Sequence, residues 1–320
     1  MNNSNHNKMN ICAICNNSFE NKTIETNEMM FGSRDNFRYF QCSECGCLQI
    51  VDIPEDMSKY YPSTYYSYSE KTKKTISNKI KDYLLPSSMK FRMGKSKSLV
   101  GLMSNFRYSS TFPWINNDIG QFYNKSVLDV GCGSGLLISY FQKCGFKNLT
   151  GVDPYLSENI KNKNYSLFKK ELYEINNKFH LIMFHHSFEH MDNPHRIFKK
   201  LVDLLEDDGL LLVRIPLADS YAFRKYGSSW FALDAPRHFY LYSVKSMNYL
   251  AEKYGFKIDK ITYDSTWQQF YFSESYKRNI ALNEIFEEFS IKNKKDFKQQ
   301  ADVLNKLMDG DQACFYIKKA

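Results

Sequence analysis

Apolar residues occur in short unbroken runs, separated by stretches in which every third or fourth position is apolar. This is the pattern of buried strands alternating with amphipathic helices. Val127–Val130 reads as a strand, and Leu136, Leu137, Tyr140, Phe141 and Cys144 then mark one helical face that stops at Gly145. Leu149–Val152 and residues 179–184 are further strands. Asn193-Pro194 opens a helix with Ile197, Leu201, Leu204 and Leu205 at helical spacing, and the Asp208-Gly209 turn leads into a strand over 210–215. Ser243 leads a helix through Met247, Leu250 and Tyr254 that ends at Gly255. Strands are expected over 257–265 and, antiparallel and last, over 313–318. Between them, residues 270–308 read as a helical insertion, with Leu282, Ile285, Phe286 and Phe289 on one face. Ahead of the first strand, 99–123 predicts a helix. The Lys- and Ser-rich stretch 70–97 reads as an exposed, partly helical connector. The alternation predicts an α/β fold.

Composition bounds the class without naming a function. The 320 residues are 43% hydrophobic and 24% charged, a globular balance that excludes a wholly disordered or fibrous chain. The net charge of +8 comes from scattered lysines, which suits an anionic substrate and does not point to nucleic acid. No apolar run approaches the roughly 18–20 residues of a membrane span. Residues 1–10 form a polar, Asn-rich tail with no apolar signal core, so a cytoplasmic location is expected, with the eight cysteines as thiols or metal ligands.

Five of those cysteines lie within the first 47 residues. Cys12-Ala-Ile-Cys15 and Cys42-Ser-Glu-Cys45-Gly-Cys47 are two knuckles, and a two-residue gap sets two thiolates on one turn about 2.3 Å from a shared zinc. Gly46 fits a turn that needs positive φ. Short strands between the knuckles predict a zinc ribbon over 11–56, held by Cys12, Cys15, Cys42 and Cys45, with Cys47 an alternative to Cys45. Four ligands leave no vacancy, so such a zinc is structural. Residues 57–98 follow as a Tyr-rich and basic connector, and 99–320 as the main domain.

The chemistry centres on Asp129-Val130-Gly131-Cys132-Gly133-Ser134-Gly135. Glycines after a strand let the backbone approach a ligand and turn into a helix N-terminus. The next strand ends at Asp153, where a carboxylate can accept the ribose hydroxyls of a nucleoside. The glycine spacing is not the dinucleotide pattern, and no Gly-Lys-Ser/Thr of a P-loop is present. Here the chain resembles the class I S-adenosylmethionine-dependent methyltransferases, whose first motif is an acid followed by Gly-x-Gly-x-Gly. The likeness continues through strand 179–184 and His185-His186-Ser187-Phe188-Glu189-His190-Met191, although His180 stands where an Asp is usual. Ser229-Trp230-Phe231-Ala232-Leu233-Asp234-Ala235-Pro236-Arg237-His238-Phe239 resembles a segment of bacterial methyltransferases of surface-polysaccharide and secondary-metabolite clusters. Those relatives often carry an N-terminal four-cysteine module followed by a Tyr-Tyr run, as in Tyr65-Tyr66.

The resemblance implies a doubly wound, seven-stranded, mainly parallel sheet with S-adenosylmethionine as cofactor. Asp129, Gly131, Cys132, Gly133 and Gly135 would surround its methionine part and Asp153 its ribose, beside Pro154. Glu171 and Leu172 would lie near adenine, and His185 is expected to line the adenosine pocket. Methyl transfer to a hydroxyl also needs a proton acceptor, for which histidine suits neutral pH. His238 is the candidate base, with His186 and His190 next. Tyr65, Trp230, Asp234 and Arg237 are expected on the acceptor, Arg237 as a phosphate clamp or an ion pair with Asp234. The expected acceptor is a hydroxyl or amine of a sugar or related small molecule, with or without phosphate, in bacterial surface-glycan assembly. An RNA or protein methyltransferase docking through the zinc ribbon, and a non-catalytic cofactor-binding partner, are the alternatives.

Overall fold

The computed structural model describes residues 10–62, 76–285 and 291–320. Its strands are β1 (Lys22–Asn27), β2 (Asn36–Gln41), β3 (Leu48–Ile50), β4 (Val127–Val130), β5 (Leu149–Val152), β6 (Ile160–Lys161), β7 (Tyr165–Phe168), β8 (Phe179–His185), β9 (Leu205–Pro216), β10 (Tyr240–Leu241), β11 (Phe256–Tyr263) and β12 (Gln312–Lys319). Its α-helices are α1 (Ile76–Arg92), α2 (Leu99–Tyr108), α3 (Asn117–Gly120), α4 (Leu136–Cys144), α5 (Pro194–Leu204), α6 (Tyr221–Tyr226), α7 (Val244–Lys253), α8 (Gln268–Lys277) and α9 (Ile291–Lys306).

The main sheet runs β11-β12-β9-β8-β4-β5-β7-β6. The five strands from β9 to β7 are parallel, and β12 lies antiparallel between β9 and β11. The expected seven strands are joined by an eighth, because β6 folds back on β7 as a short antiparallel edge. Both faces of the parallel strands are covered, which is why all four residues of β4 are buried, Asp129 among three apolar neighbours. One core packs α5 and α7 against one face, and the other packs α1 and α4 against the opposite face. β9 begins earlier than the turn at Asp208-Gly209 suggested. The register steps from Phe179↔Leu205 to Leu181↔Leu210, so residues 206–209 bulge out between the two pairings.

Three expectations change. The connector is not an exposed spacer: Leu85 and Met89 of α1, with Met93 just after it, are buried against the α4 side of the sheet. The helix expected over 99–123 ends at Tyr108; further on, Phe112 turns the backbone left-handed at φ +54° and Pro113 lacks an N–H, so no helix resumes before the short α3. In the insertion, Leu282 starts a single 3₁₀ turn over Leu282–Glu284, because its N–H is drawn to the Met29 carbonyl. Phe286 and Phe289 lie outside the described residues, as does Tyr65 with the rest of its tyrosine run.

The N-terminal strands form a second sheet, β1-β2-β3-β10, whose last strand comes from the main domain. Tyr240 pairs with Gln49 and Leu241 with Leu48. The Tyr39 hydroxyl donates to the His238 carbonyl at 2.8 Å, and a ring nitrogen of His195, at the start of α5, bonds the Ile14 carbonyl at 2.8 Å. The four-cysteine module is therefore built onto the main domain through backbone pairing and buried polar contacts.

Candidate functional site

A cavity of about 410 Å³ opens at the carboxyl ends of β4, β5 and β8, where doubly wound sheets bind ligands. Its floor is the glycine loop. Gly131 has φ +73°, and a Cβ there would lie 2.4 Å from the Ser187 side chain, so only glycine fits. The Gly133 N–H, at φ +50°, donates to Asp153 Oδ2 at 2.9 Å, while Tyr155 N–H donates to Oδ1 at 2.9 Å. These amides fix the Asp153 carboxylate at the cavity wall, with lone pairs left to accept further donors. Pro154, Glu171, Leu172 and Tyr173 continue that wall. Two carboxylates, an aliphatic side chain and a glycine backbone suit a nucleoside that carries cationic sulfonium and ammonium groups, so the residues present fit S-adenosylmethionine.

Other expected cofactor residues sit behind this surface. Asp129 is buried, and burial followed by the nearby charge of Asp153 pushes its carboxyl up to about 8. Gly135 caps α4 in the left-handed conformation, and Cys132 and Gly131 share the Val152 carbonyl as acceptor. Asp129, Cys132 and Gly135 shape the loop without lining the cavity. His185 is corrected more strongly. It is absent from the lining, its ring packs against Trp114 at 4.1 Å between centroids, and burial holds it well below the usual imidazole range.

The histidines expected to act as bases divide by hydrogen bonding. His186 and His190 line the cavity, and His238 does not. Arg214 Nη1 lies 2.5 Å from His186 Nε2, and since a guanidinium only donates, that nitrogen accepts. His186 Nδ1 then carries the proton towards Glu189 Oε1 at 3.3 Å, so both of its nitrogens are engaged. His190 Nδ1 donates to the Arg237 carbonyl at 2.8 Å, and His238 Nδ1 to the Ala232 carbonyl at 2.8 Å. His190 therefore keeps an unprotonated Nε2 in its neutral form. His238 Nε2 lies 4.0 Å from Glu189 Oε1 and 3.9 Å from Asp234 Oδ2, and the two rings meet edge-on at 4.6 Å. His238 is thus one layer behind His190, too deep to meet an acceptor directly. Burial, then the charge of His238, lowers His190 to about 4, so its ring is neutral at neutral pH. Burial would raise Glu189, but the hydrogen bond and charge of His186, with His190 and His238, hold it down at about 2.

The residues expected on the acceptor are also displaced inward. Arg237 is fully buried, and its guanidinium donates to Asp234, to Glu28 Oε1 at 2.9 Å and to the Tyr60 carbonyl at 3.1 Å. With Nε, Nη1 and Nη2 all committed, it is not a phosphate clamp; it is the ion pair with Asp234, extended to Glu28. Trp230 is buried, and its Nε1 donates to Asp311 Oδ2 at 3.1 Å. Sequence reasoning missed Glu28 and left Glu189 and Tyr61 outside the candidate site residues. Tyr61 lines the cavity with its hydroxyl 3.2 Å from His190 Nδ1. The i, i+3 spacing of His186 and Glu189 on the turn after β8 was the available signal for that pair.

At the far end of the small sheet, Cys12, Cys15, Cys42 and Cys45 bring their sulfurs within 4.8 Å of one another. The Cys12–Cys45 and Cys15–Cys42 contacts are both 3.5 Å, near the roughly 3.8 Å separation that a tetrahedral zinc with 2.3 Å bonds imposes. Ile14 N–H and Cys45 N–H point at Cys12 Sγ and Cys42 Sγ at 3.4 Å, and Gln49 Nε2 donates to Cys12 Sγ at 2.9 Å. Donors aimed at sulfur favour thiolates, so the set is compatible with zinc. Cys47 is outside the set, with its buried thiol directed at the Leu48 carbonyl.

Residues 108–261 match the family described as a methyltransferase domain. A ubiquinone biosynthesis O-methyltransferase from Glaesserella parasuis is 29% identical over 116 residues, which cover 31% of this chain and 49% of that protein. An (S)-coclaurine N-methyltransferase from Papaver somniferum is 32% identical over 101 residues, 28% of this chain and 29% of that protein. The chain spans less than half the length of these curated relatives. Among solved structures, a SAM-dependent methyltransferase from Archaeoglobus fulgidus superposes with a TM-score of 0.41 at 19% identity, covering 70% of this chain and 100% of that one.

Proposed function

We propose that this chain, whose residues 108–261 lie in a class I S-adenosylmethionine-dependent methyltransferase domain, moves a methyl group from that cofactor to a hydroxyl or amine of a small molecule. The observation that carries the reading is one cavity in which the glycine loop and Asp153 face His190. When bound, the cofactor supplies an electrophilic sulfonium methyl. Asp153 holds the ribose, the backbone of Gly131 and Gly133 borders the methionine end, and Glu171 and Leu172 flank the adenine. His190 Nε2 takes the proton from the acceptor, while its Nδ1–H stays on the Arg237 carbonyl and fixes the ring. Glu189 stands behind it, and its carboxylate stabilises the imidazolium that forms. Tyr61 and Met191 close the wall beside His190 and help exclude water.

A sugar acceptor in surface-glycan assembly rests on the sequence resemblance of residues 229–239 and is the first acceptor class to assay. The matched O- and N-methyltransferases support small-molecule acceptors in general. Calorimetry tests the cofactor: S-adenosylmethionine should bind and NAD should not. Asp153→Ala should weaken binding by about 2 kcal/mol, as expected when charge-assisted hydrogen bonds are lost. Binding of NAD with indifference to S-adenosylmethionine would overturn the proposal.

A further inference from the structure

Helix α2 is built inside out. Its buried residues are Gly101, Ser104 and Tyr108, and its large apolar residues point to solvent. Leu99 is 76% exposed, Met103 71% and Phe106 82%, with Leu102 beside them. Spacings of three and four place all four on one stripe. The inward face is small because α1 approaches closely: a Cβ on Gly101 would lie 3.2 Å from both Phe91 Cβ and the Ser87 carbonyl oxygen. Packing thus explains the inner face and leaves the outer one unexplained. A contiguous exposed apolar stripe on a folded chain marks a contact surface.

The charge around the stripe selects its occupant. Lys95 and Lys97 precede the helix and Arg107 lies in its last turn, all three exposed and without a carboxylate partner among the described residues. Residues 79–108 hold seven basic residues and one acid, Asp82, which accepts from the Tyr140 hydroxyl at 2.6 Å. A second copy fits poorly. Two-fold pairing would set these cations against each other, and a stripe of four side chains is far from the roughly 20–30 residues a side of a stable interface.

The geometry points to α2 as an interfacial anchor that seats its apolar stripe in an anionic lipid surface, with Lys95, Lys97 and Arg107 on the lipid phosphates. Such a helix lies in the membrane plane with apolar side chains below the headgroups and cations among them. This is consistent with there being no helix, among the described residues, long and apolar enough to cross a membrane.

Flotation of the full chain with vesicles tests the anchor. Phosphatidylcholine vesicles carrying about a third phosphatidylglycerol should retain the protein, pure phosphatidylcholine vesicles should not, and retention should fall with salt. Met103→Glu/Phe106→Glu alters only exposed positions and should lower vesicle affinity about tenfold or more, with melting temperature and S-adenosylmethionine affinity unchanged. Lys95→Glu/Lys97→Glu, which keeps the stripe, should abolish the preference for anionic lipid and serves if the first variant is unstable. Three results would overturn the anchor: wild type that stays with the buffer for both vesicles, glutamate variants that float like wild type, or a wild-type dimer that the stripe variant turns into a monomer.

Discussion

Replacing Arg237 by Met separates a structural guanidinium from a substrate clamp. The side chain is fully buried and joins three parts of the chain: Asp234 on its own loop, Glu28 after β1 and the Tyr60 carbonyl. Met keeps much of the volume and removes every donor. Glu28 would remain satisfied, because the N–H groups of Met30, Phe31 and Ser33 already donate to its carboxylate at 2.9–3.0 Å. Asp234 would be left as a buried charge without its arginine. Breaking one side of a buried pair costs about 3–5 kcal/mol, and the spared Glu28 places this case near 3 kcal/mol. For a chain of 320 residues that lowers Tm by about 4–5 °C.

The loss should depend on pH. Burial would raise Asp234, but the charge and hydrogen bond of Arg237 outweigh it and hold the carboxyl below its usual range. A depressed carboxyl contributes stability above its unfolded pKa and loses it as pH falls through the folded one. In Arg237→Met the carboxyl can take a proton instead of staying charged, so the gap between variant and wild type should narrow from pH 7 towards pH 4.5. Scanning calorimetry across that range reads it directly. An unchanged Tm together with an acceptor KM raised about tenfold or more would place the guanidinium on the substrate and refute the buried-network reading.

Four further outcomes follow from the same geometry. His190→Asn should lower kcat about 10²–10⁴-fold with cofactor affinity near wild type, whereas His238→Asn, one layer back, should cost less; steady-state kinetics with calorimetry distinguish them. The purified chain should hold one zinc, and Cys42→Ser should lose it and lower Tm, as metal analysis and melting would show. Asp129, raised to about 8, keeps in the fold a proton that the unfolded chain releases above its usual range. Stability of the cofactor-free protein should therefore fall as pH rises from about 4 to 8, and Asp129→Asn should flatten that slope in a Tm-against-pH series.

The parts of this molecule that local pattern governs were readable from sequence. β4, β5 and β8 are buried on both faces, so their composition alone announces them, and the glycines before α4 mark the turn that Ser187 crowds. Long-range contacts were not readable. Arg237 and His238 sit on a loop expected at the rim, but Glu28, Tyr60 and Tyr39 from the N-terminal sheet fold over it and take it into the interior. In α1 the polar surface residues outnumber the core ones. The spacing of Leu85, Met89 and Met93 by four was the signal that the Lys and Ser content obscured. The sharing of the small sheet by β10 had no local signature, since two residues of strand carry no periodicity.

That shared strand sets how the chain can be recombined. Leu48 and Leu241 are paired partners although 193 positions apart. Cutting after residue 56 would leave β10 without its neighbour and uncover the loop that carries Arg237 and His238. The cysteine-bearing piece is consequently not a detachable cassette. A chimaera that imports a different N-terminal module must bring matching residues at 234–241 with it, and variation in one segment is tolerated only when the other accommodates it.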